Sequence, residues 1–377
     1  MGVELKVGNR TNAPFRFDNV GSFLRPEKLK KARVAFAEGT LTESELKKVE
    51  DVCIADLIQK QKEVGLQGIT DGEFRRSWWH LDFMWGLNGV KKEIIDQGYI
   101  FNGEETRPET ACLTGKISGE SHPFIEHFAF VQQYATDEIV ARQTIPAPAQ
   151  FLAELQRPQN KETTEHVYPD INDLVADIAK AYQTVIRDLY EAGCRNVQLD
   201  DCTWGMLVDT NSSTAQQIQA DAEGMGELYL RVNNLAIDNL PEDLVVNTHV
   251  CRGNYHSTWA SSGGYDPIAH LLFEKENVTA YYLEFDTDRA GDFSPLQHVS
   301  DDKLVVLGLF SSKTGELEDK AAIKARIEEA AKYVNLSRLC ISPQCGFAST
   351  EEGNILTEEQ QWDKLRLIKE IADEVWG

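Results

Sequence analysis

Two patterns of hydrophobic and polar positions alternate along the chain. Short, nearly unbroken apolar runs read as strands: "RFDNVGSF" (16–23), "LQGITDGE" (66–73), "EIVARQTIPAP" (138–148), "NVQLDD" (196–201), "LVVNTHVC" (244–251), "TAYYLEFD" (279–286), "KLVVLGLFSSK" (303–313) and "RLCISPQCGF" (338–347). Runs of this kind are expected of parallel strands covered on both faces. Between them, apolar residues recur every three or four positions, the helical period. The segment 42–65 opens on a capping residue and closes on Gly65. The segment 171–193 carries Leu174, Ile178, Ala181, Val185, Ile186 and Leu189 and stops at Gly193. Segments 214–237, 319–334 and 357–376 obey the same rule. Eight strands, each feeding a helix, predict an α/β fold: a single (β/α)8 TIM-type barrel rather than an open doubly wound sheet.

The stretch 77–135 breaks the alternation. It is rich in Trp, Phe and Gly, and "LTGKISG" beside "FVQQYA" predicts a hairpin. It reads as an insertion after strand 2 that caps the barrel mouth. No repeat, low-complexity tract or linker divides the sequence, so residues 1–377 are expected to form one domain.

Composition narrows the function. The 377 residues carry 38 Lys and Arg against 61 Asp and Glu, a net charge of -23. Such a chain repels nucleic acid and anionic membranes, so neither is expected as a partner. No apolar run approaches the roughly 20 residues that span a bilayer. The start "MGVELKVGNR" has no apolar core of a secretory signal. The seven scattered cysteines do not form a disulfide framework. Reduced thiols and a cytoplasmic location are the expectation.

Barrel sites are built at the C-terminal ends of strands. His249 and Cys251 end the fifth strand and, two apart, point the same way. Glu284 ends the sixth and Cys345 the eighth, where Gly346 permits a tight exit. Singly, a cysteine at a strand end is more often a small buried hydrophobe, and Cys53, Cys112, Cys194, Cys202 and Cys340 are read so. Convergence of four candidates at one end of the barrel predicts a four-coordinate Zn²⁺ site.

The motifs "VGSF", "DGEF", "QLDD", "THVC", "LEFD" and "SPQCGF", in that order, resemble the catalytic barrel of cobalamin-independent methionine synthase, from about residue 15 to the end. The resemblance implies a zinc methyltransferase acting on the thiol of homocysteine. Its zinc-ligand pattern falls on His249, Cys251, Glu284 and Cys345. It implies that Glu73 and Asp200 hold the substrate ammonium, and that Ser22 holds the substrate carboxylate. The implied methyl donor is 5-methyltetrahydrofolate, as its polyglutamate. Trp78, Trp79, Trp85 and Trp204 are candidates for a pterin platform.

The sequence departs from the family in three places. Lys313 occupies the position of the family's proton-donating histidine. Met206 stands near a family carboxylate, with Asp209 a neighbour. Nothing matches the N-terminal barrel of the long synthases, so its glutamyl-tail contacts are expected to be either absent or replaced, with Arg75, Arg76, Lys91 and Lys92 the candidates for replacement. A corrinoid or other methyl donor, another thiol acceptor, or a non-catalytic zinc- or thiol-binding protein remain as alternatives. The sequence is compatible with a homo-oligomer and does not specify one.

Overall fold

The computed structural model describes residue 8 and residues 10–209 and 221–377. In chain order its strands are β1 (Gly68–Ile69), β2 (Asn88–Ile94), β3 (Ile100–Phe101), β4 (Glu104–Glu105), β5 (Glu109–Ser118), β6 (Val140–Ala141), β7 (Gln143–Pro146), β8 (Asn196–Asp201), β9 (Val245–Val250), β10 (Ala280–Glu284), β11 (Leu304–Phe310) and β12 (Leu339–Pro343). Strands β7 to β12 form one parallel sheet in sequential order. β6 runs into β7 across Arg142 and pairs in parallel with β1. All residues of β8, β10, β11 and β12 are buried. Their continuous apolar character follows from being covered on both faces.

The segment 16–23 forms no ladder of its own. It closes the ring through one parallel bridge, Phe17 to Ile341, with Asp18 N–H donating to Ile341 O and Ile341 N–H to Arg16 O. On its other side, the Asn19 amide donates to Gly68 O and Phe23 N–H to Gly72 O. Local side-chain bonding explains the missing ladder: the Asp18 carboxylate accepts from Phe15 N–H and Asn19 N–H. Such bonds give the backbone an alternative to pairing. The second strand shrinks to two residues because Gly72 and Glu73 turn sharply, at φ 66 and 62.

Helices Glu43–Glu63, Ile171–Glu191, Lys320–Ala330 and Glu358–Trp376 fall where the helical period places them. Thr42 and Thr357 form reciprocal capping boxes with Glu45 and Gln360, satisfying end N–H groups. The segment 214–237 is helical over Ala222–Ala236, and its first residues, 214–220, lie outside the described residues. The pattern did not anticipate helices Glu27–Ala37, Pro148–Leu155, Pro158–Val167 and Ala269–Lys275. Among the described residues no helix is long and apolar enough to cross a membrane.

The insertion does contain a hairpin, but with other partners. β5 pairs antiparallel with β2, so 113–118 faces 88–90 rather than 130–135. Phe124–Gln132 is instead a helix, because Phe124, Phe128 and Val131 recur at helical spacing and are buried. β3 and β4 make a second small hairpin, and Trp78 bridges to Thr350. These contacts tie the insertion to the chain leaving β12.

The positions that face into the ring are unusually polar. They include Gln198 and Asp200 on β8, Asn247 and His249 on β9, and Tyr282 and Glu284 on β10, all buried. Beneath the site, Asp18 pairs with Arg142 and accepts from Tyr282 Oη at 2.9 Å, and Arg142 reaches Gln198 Oε1 at 3.0 Å. A buried ion pair of this kind holds register rather than adding much stability.

Outside the ring, the Asn233 amide donates to Asp201 at 2.9 Å and to Glu276 at 3.0 Å. Burial, then the Asp201 charge, pushes Glu276 up to about 8. The folded chain therefore binds a proton there that the unfolded chain releases from about pH 4.5, and stability falls as pH rises from about 5 to 8. Glu276→Gln keeps the acceptor and removes the titration. Its melting temperature should exceed the parent's by an amount that grows across that window and levels off above it, as read by thermal melts at several pH values.

Candidate metal centre

His249 and Cys251 share the inward face of β9 and its extension, because residues two apart on a strand point the same way. Glu284 is the last residue of β10, the neighbouring strand. Cys345 lies two residues beyond β12. One ligand atom from each of these four side chains lies within 4.8 Å of all the others, and all four residues are buried. Gly346 permits this convergence by close approach: a Cβ there would sit 1.9 Å from Ser22 Oγ.

Three features match a tetrahedral metal. The two sulfurs are 3.7 Å apart. Zinc–sulfur bonds of about 2.3 Å at the tetrahedral angle place two sulfurs about 3.8 Å apart. His249 Nδ1 is 3.2 Å from Tyr282 O, which fixes the ring, and Nε2 is buried with no hydrogen-bond partner. That is the usual arrangement of a ligating imidazole. Gly253 N–H donates to Cys251 Sγ at 3.2 Å, as suits a thiolate.

The electrostatics point the same way. Burial, reinforced by the Cys251 sulfur, pushes Glu284 up to about 7 despite Lys313, Arg289 and Arg252. Burial would lower His249, but the Cys251 sulfur, then Asp200 and Glu284, carry it up to about 9. The neighbouring Cys202 and Cys345 thiols hold Cys251 well below an ordinary thiol. The cluster gathers negative charge that a divalent cation would neutralise in place of protons.

A cavity of about 580 Å³ opens above this cluster, lined in part by Ser22, Glu73, Asp200, His249, Cys251 and Cys345. Glu73 sits on the strained turn after β1. A non-glycine residue at positive φ costs on the order of 1–3 kcal/mol and clusters at functional sites. Its Oε1 accepts from Thr144 Oγ1 at 3.1 Å, Arg76 lies 3.4 Å away, and its Oε2 is buried without a partner. Burial, opposed by Arg76 and Arg25, raises its pKa above the usual carboxylate range. Burial, partly offset by His249, pushes Asp200 up to about 7. Ser22 Oγ accepts from Ala348 N–H at 3.2 Å.

Other expected residues lie elsewhere. Lys313 does not line the cavity; its buried Nζ donates to Gly253 O at 3.2 Å and Asn254 Oδ1 at 2.8 Å. Arg75 pairs with Glu50 and Asp51, Arg76 with Glu73 and Thr144, Lys91 with Glu93 and Lys92 with Glu109. None of the four lines the cavity. Of the four tryptophans, Trp78 and Trp79 line it, while Trp85 and Trp204 do not. Met206 lines it and Asp209 does not.

Three features are not evident from the residue pattern. Cys202 lines the cavity together with Cys251 rather than only filling space; its spacing of two from Asp200 is the signal the sequence carries. Arg289 reaches Glu284 at 3.1 Å. A chain of buried His80, half-buried Tyr99 and buried Glu154 lines the outer wall, with His80 Nε2 3.1 Å from Tyr99 Oη and Tyr99 donating to Glu154 at 2.7 Å.

Residues 16–373 match the family model described as the cobalamin-independent synthase, catalytic domain. The chain belongs to this family. It is 42% identical over 373 residues to YxjH of Bacillus subtilis, an uncharacterized protein, covering 98% of this chain and 97% of that one. It is 23% identical over 333 residues to a methionine synthase of Pyrococcus abyssi, covering 87% and 84%. A crystal structure from Listeria monocytogenes superposes with a TM-score of 0.77 at 41% identity, covering 98% of this chain and 100% of that one. A B12-independent methionine synthase from Shewanella sp. W3-18-1, in complex with selenomethionine, gives a TM-score of 0.70 at 18% identity, covering 96% and 97%. The family is one of methyltransferases of the methionine synthase type, and the α/β fold is that of its catalytic barrel.

Cys345→Ser and Cys251→Ser should each reduce bound transition metal from about one ion per chain to a small fraction of that. Elemental analysis of gel-filtered protein checks this.

Proposed function

We propose that this protein is a zinc-dependent methyltransferase that makes methionine from homocysteine. The observation that carries the reading is the convergence of His249, Cys251, Glu284 and Cys345 beside two buried carboxylates, Glu73 and Asp200. Bound Zn²⁺ would keep the substrate sulfur as its thiolate at neutral pH.

The chain's own residues place the rest of the amino acid. The unpartnered Glu73 Oε2 and the neighbouring Asp200 offer charge for an ammonium group. An arriving cation would also relieve the repulsion between carboxylates that helps raise Asp200. Ser22, packed against Gly346, is suited to the substrate carboxylate. Trp78 and Trp79 offer a flat wall for a methyltetrahydrofolate donor. Lys313, engaged with Gly253 and Asn254, is better suited to holding the turn after Cys251 than to donating a proton.

Glu73→Gln and Asp200→Asn should each raise the homocysteine KM about 10- to 100-fold, the worth of a lost charge-assisted hydrogen bond, with metal content unchanged. Steady-state kinetics alongside elemental analysis tests this. Unchanged KM in both variants contradicts the assignment.

One observation favours a second reading of the donor. Arg157 and Arg252 are the cations of the cavity wall among the described residues, and both are engaged: Arg157 with Glu154, Arg252 with Gly263 O and Tyr265 Oη. A long anionic tail gains little there, so the donor would be selected without one. Monoglutamyl and triglutamyl methyltetrahydrofolate should then differ in KM by less than about threefold, whereas a tail-binding site gives about tenfold or more. Methylcobalamin assayed in parallel separates a corrinoid donor from a folate.

A further inference from the structure

Glu284 differs from the other three candidate ligands in how its ligand atoms are held. Oε1 accepts from Arg252 N–H at 2.9 Å and Oε2 from Arg289 Nη2 at 3.1 Å. A carboxylate has about four acceptor positions, so it can take these two bonds and still bind a metal. Its electron density is nevertheless shared, which makes it the most easily displaced member of the set.

Displacement leaves a buried anion. A carboxylate stripped of its partner inside a protein is strongly disfavoured unless another charge meets it. Three cations lie near Glu284: Lys313, Arg289 and Arg252. The Lys313 ammonium is engaged with Gly253 O and Asn254 Oδ1. The Arg252 guanidinium is engaged with Gly263 O and Tyr265 Oη. Arg289 alone of the three donates from its side chain to the carboxylate.

Arg289 is itself fixed in place. The same Nη2 donates to Asp286 at 3.2 Å, the Trp259 ring lies 5.0 Å from its guanidinium carbon, and its carbonyl accepts from Gly263 N–H. The guanidinium therefore stays in position whether or not Glu284 moves.

We propose that Arg289 is a positioning residue that receives the Glu284 carboxylate when a substrate thiolate takes its place at the metal. The inference rests on the zinc-dependent reading above. In it, Glu284 is an exchangeable ligand and Cys251, Cys345 and His249 are permanent ones. The Arg289–Arg252 pair of donors makes the exchange reversible at low cost, because the carboxylate is hydrogen-bonded in both states.

The test uses the zinc-loaded protein with Arg289→Met and Arg289→Lys. Homocysteine affinity is read by calorimetry, metal retention by challenge with a chelator, and the number of sulfur ligands by zinc-edge X-ray absorption with and without homocysteine. The parent should pass from two sulfur ligands to three on adding homocysteine. Arg289→Met should keep its zinc, bind homocysteine about 10- to 100-fold more weakly, and remain at two sulfurs at a concentration that saturates the parent. Arg289→Lys should recover part of the affinity.

The inference is overturned if Arg289→Met binds homocysteine as the parent does and reaches three sulfurs. It is equally overturned if both variants lose zinc and homocysteine binding together, since that is merely structural support. A parent protein that holds zinc but never gains a third sulfur sinks the underlying reading as well. That result is visible before either variant is made.

Discussion

Burying two thiols, an imidazole and a carboxylate within 4.8 Å of one another is the constraint on which the rest of this protein turns. A barrel interior normally fills such positions with branched apolar side chains. Here the groups face each other with little solvent to screen them. Their proton affinities are driven far apart, with Glu284 up to about 7, His249 up to about 9 and Cys251 well below an ordinary thiol. A single divalent cation would resolve that conflict, and the proposed chemistry rests on the same ion.

The fold delivers this arrangement by register. Parallel strands place Asp200 opposite His249 and His249 opposite Tyr282. The Tyr282 carbonyl orients the imidazole while Glu284, two residues on, ends the same strand. Below this level, the Asp18–Arg142 pair with Gln198 and Tyr282 locks the strands relative to one another. Above it, the insertion supplies Trp78, Trp79, His80 and Tyr99 to the cavity wall. The layers are distinct, with register set below, the four candidate ligands at the rim and the insertion's aromatic side chains above.

Much of this was legible in the residue pattern. Strands β8 to β12 announce themselves because each is a buried run, broken only at Val245 where β9 begins, and the four convergent residues sit where those runs end. The first two strands were harder to read. Asp18 and Asn19 spend polar side chains on the nearby backbone, and the Gly72–Glu73 turn shortens the second run, so apolar continuity overstated both. The hairpin in the insertion was misassigned because short apolar segments such as "FVQQYA" fit a strand or a helix equally well. The cations Arg75, Arg76, Lys91 and Lys92 looked available to a ligand, but each already has an acidic partner: Glu50 and Asp51, Glu73, Glu93 and Glu109 respectively. Arg289, five residues beyond Glu284, reads as an ordinary rim charge until the strand end brings it back onto the carboxylate.

Anomalous diffraction from crystals of the purified protein, collected on both sides of the zinc absorption edge, addresses the central claim most directly. The account predicts one strong peak that vanishes below the edge, lying about 2.0–2.3 Å from His249 Nε2, Cys251 Sγ, Cys345 Sγ and a Glu284 carboxylate oxygen. Well-ordered side chains at this site with no peak among them, or a peak bound elsewhere, would contradict it.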